Sequence, residues 1–162
     1  MDGSSPQRLA EQSLERLAEL RGDVTQDVLD RYYRLYPDAR GSFRDHGLTD
    51  IAGLEGRMVT ETLYLLMQWC DNPTAAKISQ GSTIVHHNDT LEIGPHWYLG
   101  MIDAALEVLF ETIPDTAHAE RDMWIGLRAD IAAFIESLRE EFWRDNGDGP
   151  LGEFVPYRHP YE

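Results

Sequence analysis

The stretch STIVHHNDTLEIGPHWY, residues 82–98, sets two histidines side by side just ahead of a Gly-Pro break and an aromatic pair. Imidazole is a common metal ligand, so the pair raises the question whether His86 or His87 binds a metal. The same pair at the C-terminal end of a helix also complements the helix dipole and needs no metal. Taken alone, the stretch favours that second reading. Cys70 is the only cysteine, which leaves no intrachain disulfide and no multi-cysteine metal site. A lone cysteine within an apolar helix reads as a small core residue.

The elements that must position these residues all read as helices, with no strand alternation. SSPQRLAEQSLERLAEL opens with a serine and a proline suited to a helix start. GDVTQDVLDRYYRLYPDAR follows Gly22, with Asp23 as the expected N-cap. Val28, Leu29, Tyr32, Tyr33 and Tyr36 recur there at helical spacing until Pro37 redirects the chain. In TDIAGLEGRMVTETLYLLMQWCDNP, one stripe holds Ile51, Leu54, Met58, Leu65 and Trp69, and a second holds Val59, Leu63, Leu66 and Cys70. So wide an apolar arc must pack on more than one side, and Asn72-Pro73 ends it. TAAKISQGSTIVHH is a weaker helix interrupted by Gly81. GPHWYLGMIDAALEVLFETIP carries Tyr98, Ile102, Ala105 and Leu109 on one face. ERDMWIGLRADIAAFIESLREEFW carries Trp124, Leu127, Ile131, Phe134 and Leu138 on another. The tail after Asp145, rich in Gly, Pro and aromatics, is expected to be non-helical and docked on the body. The expectation is an all-α chain of about six to eight helices.

Composition narrows the function classes. With 162 residues the chain is expected to form one domain. The 29 acidic against 14 basic residues give a net charge of -15. That argues against nucleic acid and anionic membrane as partners, because both need a basic face. No apolar run reaches membrane-spanning length, and none follows a basic N-terminal stretch as in a signal peptide. Sparse cysteine fits a reducing compartment, so the expected location is cytoplasmic.

The segment VLDRYYRLYPDARGSF resembles the second helix, turn and third helix of a globin, above all the bacterial globins and the globin domains of flavohaemoglobins. Pro37, with Phe43 six residues later, carries the likeness. YLGMIDAALEVL and LRADIAAFIESL are similar to the last two globin helices, so the resemblance runs from about Pro6 to about Asp145. It implies a globin-like fold over residues 1–145 around a haem pocket, with 146–162 as a tail. It further implies haem b as cofactor, Phe43 flat against it, and one neutral imidazole on the iron. His87 is the expected metal ligand, because it places Ile93 where globins set an apolar residue after the corner. Thr83, one turn earlier, could accept the second imidazole proton. His86 would then point toward a propionate, although a slip of one residue swaps the roles. His96 is the third choice.

On the distal side the resemblance sets Leu29 where bacterial relatives carry a tyrosine. The fifth-helix position falls at Leu54 or Glu55, with Met58 or Val59 one turn later. No register brings a His or Gln there, which departs from the flavohaemoglobin pattern. Tyr32 and Tyr33 are expected in the core and at the rim. Ile102 is expected to line the pocket. Met58 could ligate iron as a thioether, yet reads as core filling. Glu55 reads as a solvated face, because burying an unpaired charge is costly. Arg40, Arg44, His46 and Lys77 could pair with propionates or sit on the surface. Cys70 could carry a bilin, as in phycobiliproteins, or fill the core.

The resemblance therefore implies a haem globin that binds a diatomic gas: oxygen, carbon monoxide or nitric oxide. A redox partner and the oligomeric state, a homodimer included, stay open. Peroxidase-like chemistry would need a distal acid–base group that the sequence does not make evident. The alternative is a haem-free globin-like sensory or interaction module.

Overall fold

A computed structural model of the chain describes residues 5–41, 50–81 and 95–142, with the backbone alone at 95–98 and 139–142. These residues form helices and no strand. The helices are α1 (Pro6–Arg21), α2 (Thr25–Leu35), α3 (Ile51–Asp71), α4 (73–81), α5 (Pro95–Phe110) and α6 (His118–Phe142). Residues 39–41 begin a further helical turn. No described helix is long and apolar enough to cross a membrane. The expected tail lies outside the described residues.

Local chemistry sets the helix ends. Ser5 accepts the Arg8 N–H at 3.3 Å, and Pro6 opens α1, where a missing amide proton costs nothing. Gly22 closes α1 with φ of 65°, a conformation that glycine adopts without strain, and its N–H donates to the Ala18 carbonyl. Asp23 does not cap α2 in the expected way. Val24 holds the cap position, and Asp23 folds onto Thr25, accepting its N–H at 2.9 Å and its hydroxyl at 2.6 Å. Asp50 caps α3 by accepting the Gly53 N–H at 3.0 Å. Asn72 serves two helices. Its N–H donates to the Gln68 carbonyl at the end of α3, and its Oδ1 accepts the Ala75 N–H at the start of α4.

Packing follows from which faces are apolar. α5 meets α1, α2, α3 and α6. Its expected single apolar face proves too narrow a description. Met101, Ala104, Leu106 and Val108 are buried together with Ile102, Ala105 and Leu109. A helix apolar on all sides belongs at the centre of a helical body. α3, with its wide apolar arc, packs on α1, α2 and α5, as its two stripes require. On α6 the stripe Trp124, Leu127, Ile131 and Leu138 is buried, and Ile135 beside it is sealed completely, whereas Phe134 is half-buried.

Polar pairs lock the crossings. Arg128 of α6 donates through Nε and an Nη to the two oxygens of Asp103 on α5, at 2.9 and 3.0 Å. Arg31 of α2 pairs with Glu107 and Glu111 at the C-terminal end of α5 and just beyond it. Trp69 of α3 donates its indole N–H to Asp130 of α6 at 2.8 Å and lies against the Phe134 ring. Lys77 of α4 reaches the same carboxylate at 3.9 Å. A Cβ at Gly81 would meet that Phe134 ring at 3.4 Å, so the end of α4 is seated on α6. At the other end of the body the Tyr36 ring presses on α5 at Gly100, where any Cβ would overlap it.

Candidate functional site

The amphipathic face of α2 buries Val28, Leu29, Tyr32 and Tyr33 against α3 and α5. α3 brings Leu54 and Met58, half-buried, and Val59, fully buried, to the same apolar cluster. α5 adds Leu99, Ile102 and Ala105. Four of the residues expected from the sequence, Leu54, Met58, Val59 and Ile102, therefore share one cluster with Leu29. Val59 and Ile102 are each 1% exposed. Leu54, Glu55 and Met58 of α3 are each half-buried. Phe43, His86, His87 and Ile93 lie outside the described residues, as do Arg44 and His46. His96 falls within α5, at a position described by backbone alone. Among the described residues no three His, Cys, Asp or Glu side chains gather as a metal site.

One polar device sits at the edge of the cluster. The Tyr33 hydroxyl donates to Glu55 Oε2 at 2.6 Å, the short length typical of a hydroxyl bonded to a carboxylate. Glu55 is therefore half-buried and bonded, not part of a solvated face as the sequence suggested. The Arg40 guanidinium stacks over the Tyr33 ring at 4.3 Å. Burial, reinforced by the Glu55 hydrogen bond and charge, raises the Tyr33 phenol well above its ordinary pKa, and Arg40 opposes this. Burial does the same to Tyr32. The three tyrosines of α2 and its end touch in series, with centroids 5.7 Å apart for Tyr33 and Tyr32 and 5.6 Å for Tyr32 and Tyr36.

The remaining candidates are engaged elsewhere. Cys70 is half-buried, its thiol pushed up to about 12 by burial, and its Sγ lies 3.8 Å from the Met123 sulfur. A thiol held protonated is a poor nucleophile, which favours its role as packing over attachment of a bilin. Lys77 belongs to the Asp130 and Trp69 group.

A second polar group, which the sequence reading did not single out, joins α1 to α6. Glu120, only 5% exposed, accepts both Nη groups of Arg16 at 2.8 Å. Ser13 Oγ lies 2.8 Å from Glu120 Oε2 and accepts the indole N–H of Trp124 at 3.0 Å. Arg16 hydrogen bonding is the main cause that lowers the Glu120 pKa, with burial opposing it. The available signal was Ser13 on the otherwise apolar face of α1, one turn from Arg16.

The chain matches no protein-family model, no curated protein and no solved structure.

Proposed function

We propose that the chain is a haem-binding globin that takes a diatomic gas at an iron held by His87. This reading rests on the resemblance in the sequence, and it is supported by the placement of Leu29, Leu54, Met58, Val59 and Ile102, from three helices, in or against the apolar core. The elements concerned flank, in sequence, the Pro37 to Phe43 segment and the His pair. The pairwise packing of α1 on α3 and α6, α2 on α3 and α5, and α5 on α6 also supports it.

On this reading Leu54 and Met58 would lie against one face of a porphyrin. Leu54 and Met58 are apolar, half-buried and one helical turn apart, so they offer adjoining apolar surface to a flat ligand. When bound, haem would supply an iron able to take a gas ligand. The chain's own contribution would be an apolar, non-donating surface: the side chains of Leu54 and Met58 carry no N–H or O–H, and neither do those of the buried Leu29 and Val59 of the same core. The Tyr33 hydroxyl is committed to Glu55. Oxygen, which gains from a donor as it draws negative charge, should therefore be held less well relative to carbon monoxide than in globins with a distal donor.

One observation favours the haem-free module instead. Val59 and Ile102 are already sealed by protein, which leaves them no face for a ligand. Visible absorbance of the purified full chain, followed by haem titration, separates the two. A Soret band saturating at one haem per chain supports the globin. No Soret band and no saturable uptake would leave the haem-free module.

A further inference from the structure

We propose that Tyr33 is a redox-active tyrosine, giving an electron to a one-electron oxidant while its phenolic proton passes to Glu55. Removing an electron from a phenol makes its O–H strongly acidic. Oxidation is therefore easiest where a base already holds that proton. Glu55 Oε2 is that base, 2.6 Å from the Tyr33 oxygen. Tyr33 is 7% exposed, so water does not compete freely for the proton.

Two further features require electron and proton to leave together. Burial and the nearby Glu55 charge raise the phenol pKa, so Tyr33 does not ionise beforehand. Arg40, 4.3 Å above the ring, disfavours any positive charge left on it. The electron has a path of packed rings. Tyr32 touches both Tyr33 and Tyr36, and Tyr36 is half-buried at the end of α2. The step balances. Tyr33–OH, the Glu55 carboxylate and the oxidant become Tyr33–O•, the Glu55 carboxylic acid and the oxidant reduced by one electron. One O–H bond breaks and one forms, and no atom is lost.

The oxidant belongs to the class that hydrogen peroxide generates at a haem, and its source rests on the haem reading. The Tyr33–Glu55 chemistry does not. The test uses the full chain as purified, flashed with ruthenium tris-bipyridine and persulfate and frozen for electron paramagnetic resonance. A long-lived tyrosyl signal is expected, forming more slowly in D2O. It should be lost in Tyr33→Phe and kept in Tyr64→Phe, which alters a tyrosine that is 67% exposed. Glu55→Gln keeps the Tyr33 ring and its packing, and it should lower the yield and remove the D2O effect. A long-lived signal unchanged by Tyr33→Phe, or a yield and D2O effect unchanged by Glu55→Gln, overturns the proposal. The absorbance spectrum keeps the two readings apart. A chain without a Soret band that shows the Tyr33 signal retains this inference and loses haem, and a haem-binding chain without the signal does the reverse.

Discussion

Glu120 at the seam of α1 and α6 and Glu55 at the edge of α2 and α3 both sit close to a hydrogen-bonded aromatic side chain, but their surroundings differ. Glu120 accepts one Arg16 bond on each carboxylate oxygen and a third from Ser13 on Oε2, with the Trp124 indole bonded to Ser13 in turn. Among the described residues Glu55 accepts one bond, from Tyr33, and remains half-buried. At Glu120 the hydrogen bonds from Arg16 outweigh burial and favour the charged form, so the carboxylate acts as a clamp. Glu55 holds a neutral phenol rather than a guanidinium. The first arrangement ties two helices together, and the second is the one on which the Tyr33 proposal rests.

The clamp should carry the larger energy. Glu120→Ala leaves Arg16 and Ser13 without their shared acceptor, and loss of one partner of a buried pair costs about 3 kcal/mol where the surviving charge can still reach water. Arg16 is partly exposed, which sets the lower end of that range. Urea unfolding followed by tryptophan fluorescence measures it. A loss below about 1 kcal/mol, the level of a surface pair, would remove the distinction between the two regions.

Acid should separate them next. The Glu120 pKa is lowered in the folded chain. Its contribution is then complete above the unfolded glutamate value of about 4.3 and is lost as pH falls through the lower folded value. The stability gap between wild type and Glu120→Gln should therefore close on acidification. Asp103 behaves in the opposite sense, because burial outweighs Arg128 and raises its pKa. Its stabilising effect is greatest at low pH and falls as pH rises through the folded value. Carboxyl chemical shifts followed with pH should show Asp103 titrating above the ordinary aspartate range and Glu120 below the ordinary glutamate range, and the opposite sense at either residue contradicts the assignment.

The smallest effect belongs to the edge. Tyr33→Phe removes one hydrogen bond, and Glu55 can turn to water, so the cost should be about 1 kcal/mol. Thermal melting checks it. A loss equal to that of Glu120→Ala would make the Tyr33–Glu55 pair a second clamp.

Much of the helical frame was legible because apolar spacing and caps are local signals. Ser5-Pro6 marked the start of α1, and Asn72-Pro73 the junction of α3 and α4. Of the stripe expected on α6, Trp124, Leu127, Ile131 and Leu138 are buried and Phe134 is half-buried. The central place of α5 was not legible from one face, because all of its surface from Leu99 to Phe110 is buried except the half-buried Asp103 and Glu107. The polar partnerships were beyond reach for a different reason. Tyr33 and Glu55 are 22 residues apart, and Ser13 and Glu120 are 107 apart. No periodicity links them, so burial of Glu55 was judged as that of an unpaired charge. Val59 and Ile102 are buried in the core and Leu54 and Met58 pack against it, since helix faces point where their period dictates. Phe43, His86, His87 and Ile93 belong to segments outside the described residues.

The central claim, an iron held by His87, is tested most directly by the ferrous-carbonyl absorbance of the haem-titrated wild type, His87→Ala and His86→Ala. The account predicts a normal carbonyl Soret band at one haem per chain in wild type and His86→Ala, and loss of stoichiometric haem or of the imidazole-ligated spectrum in His87→Ala. A normal band in His87→Ala, with loss in His86→Ala, would move the ligand by one residue. No carbonyl band in wild type would contradict the globin reading itself.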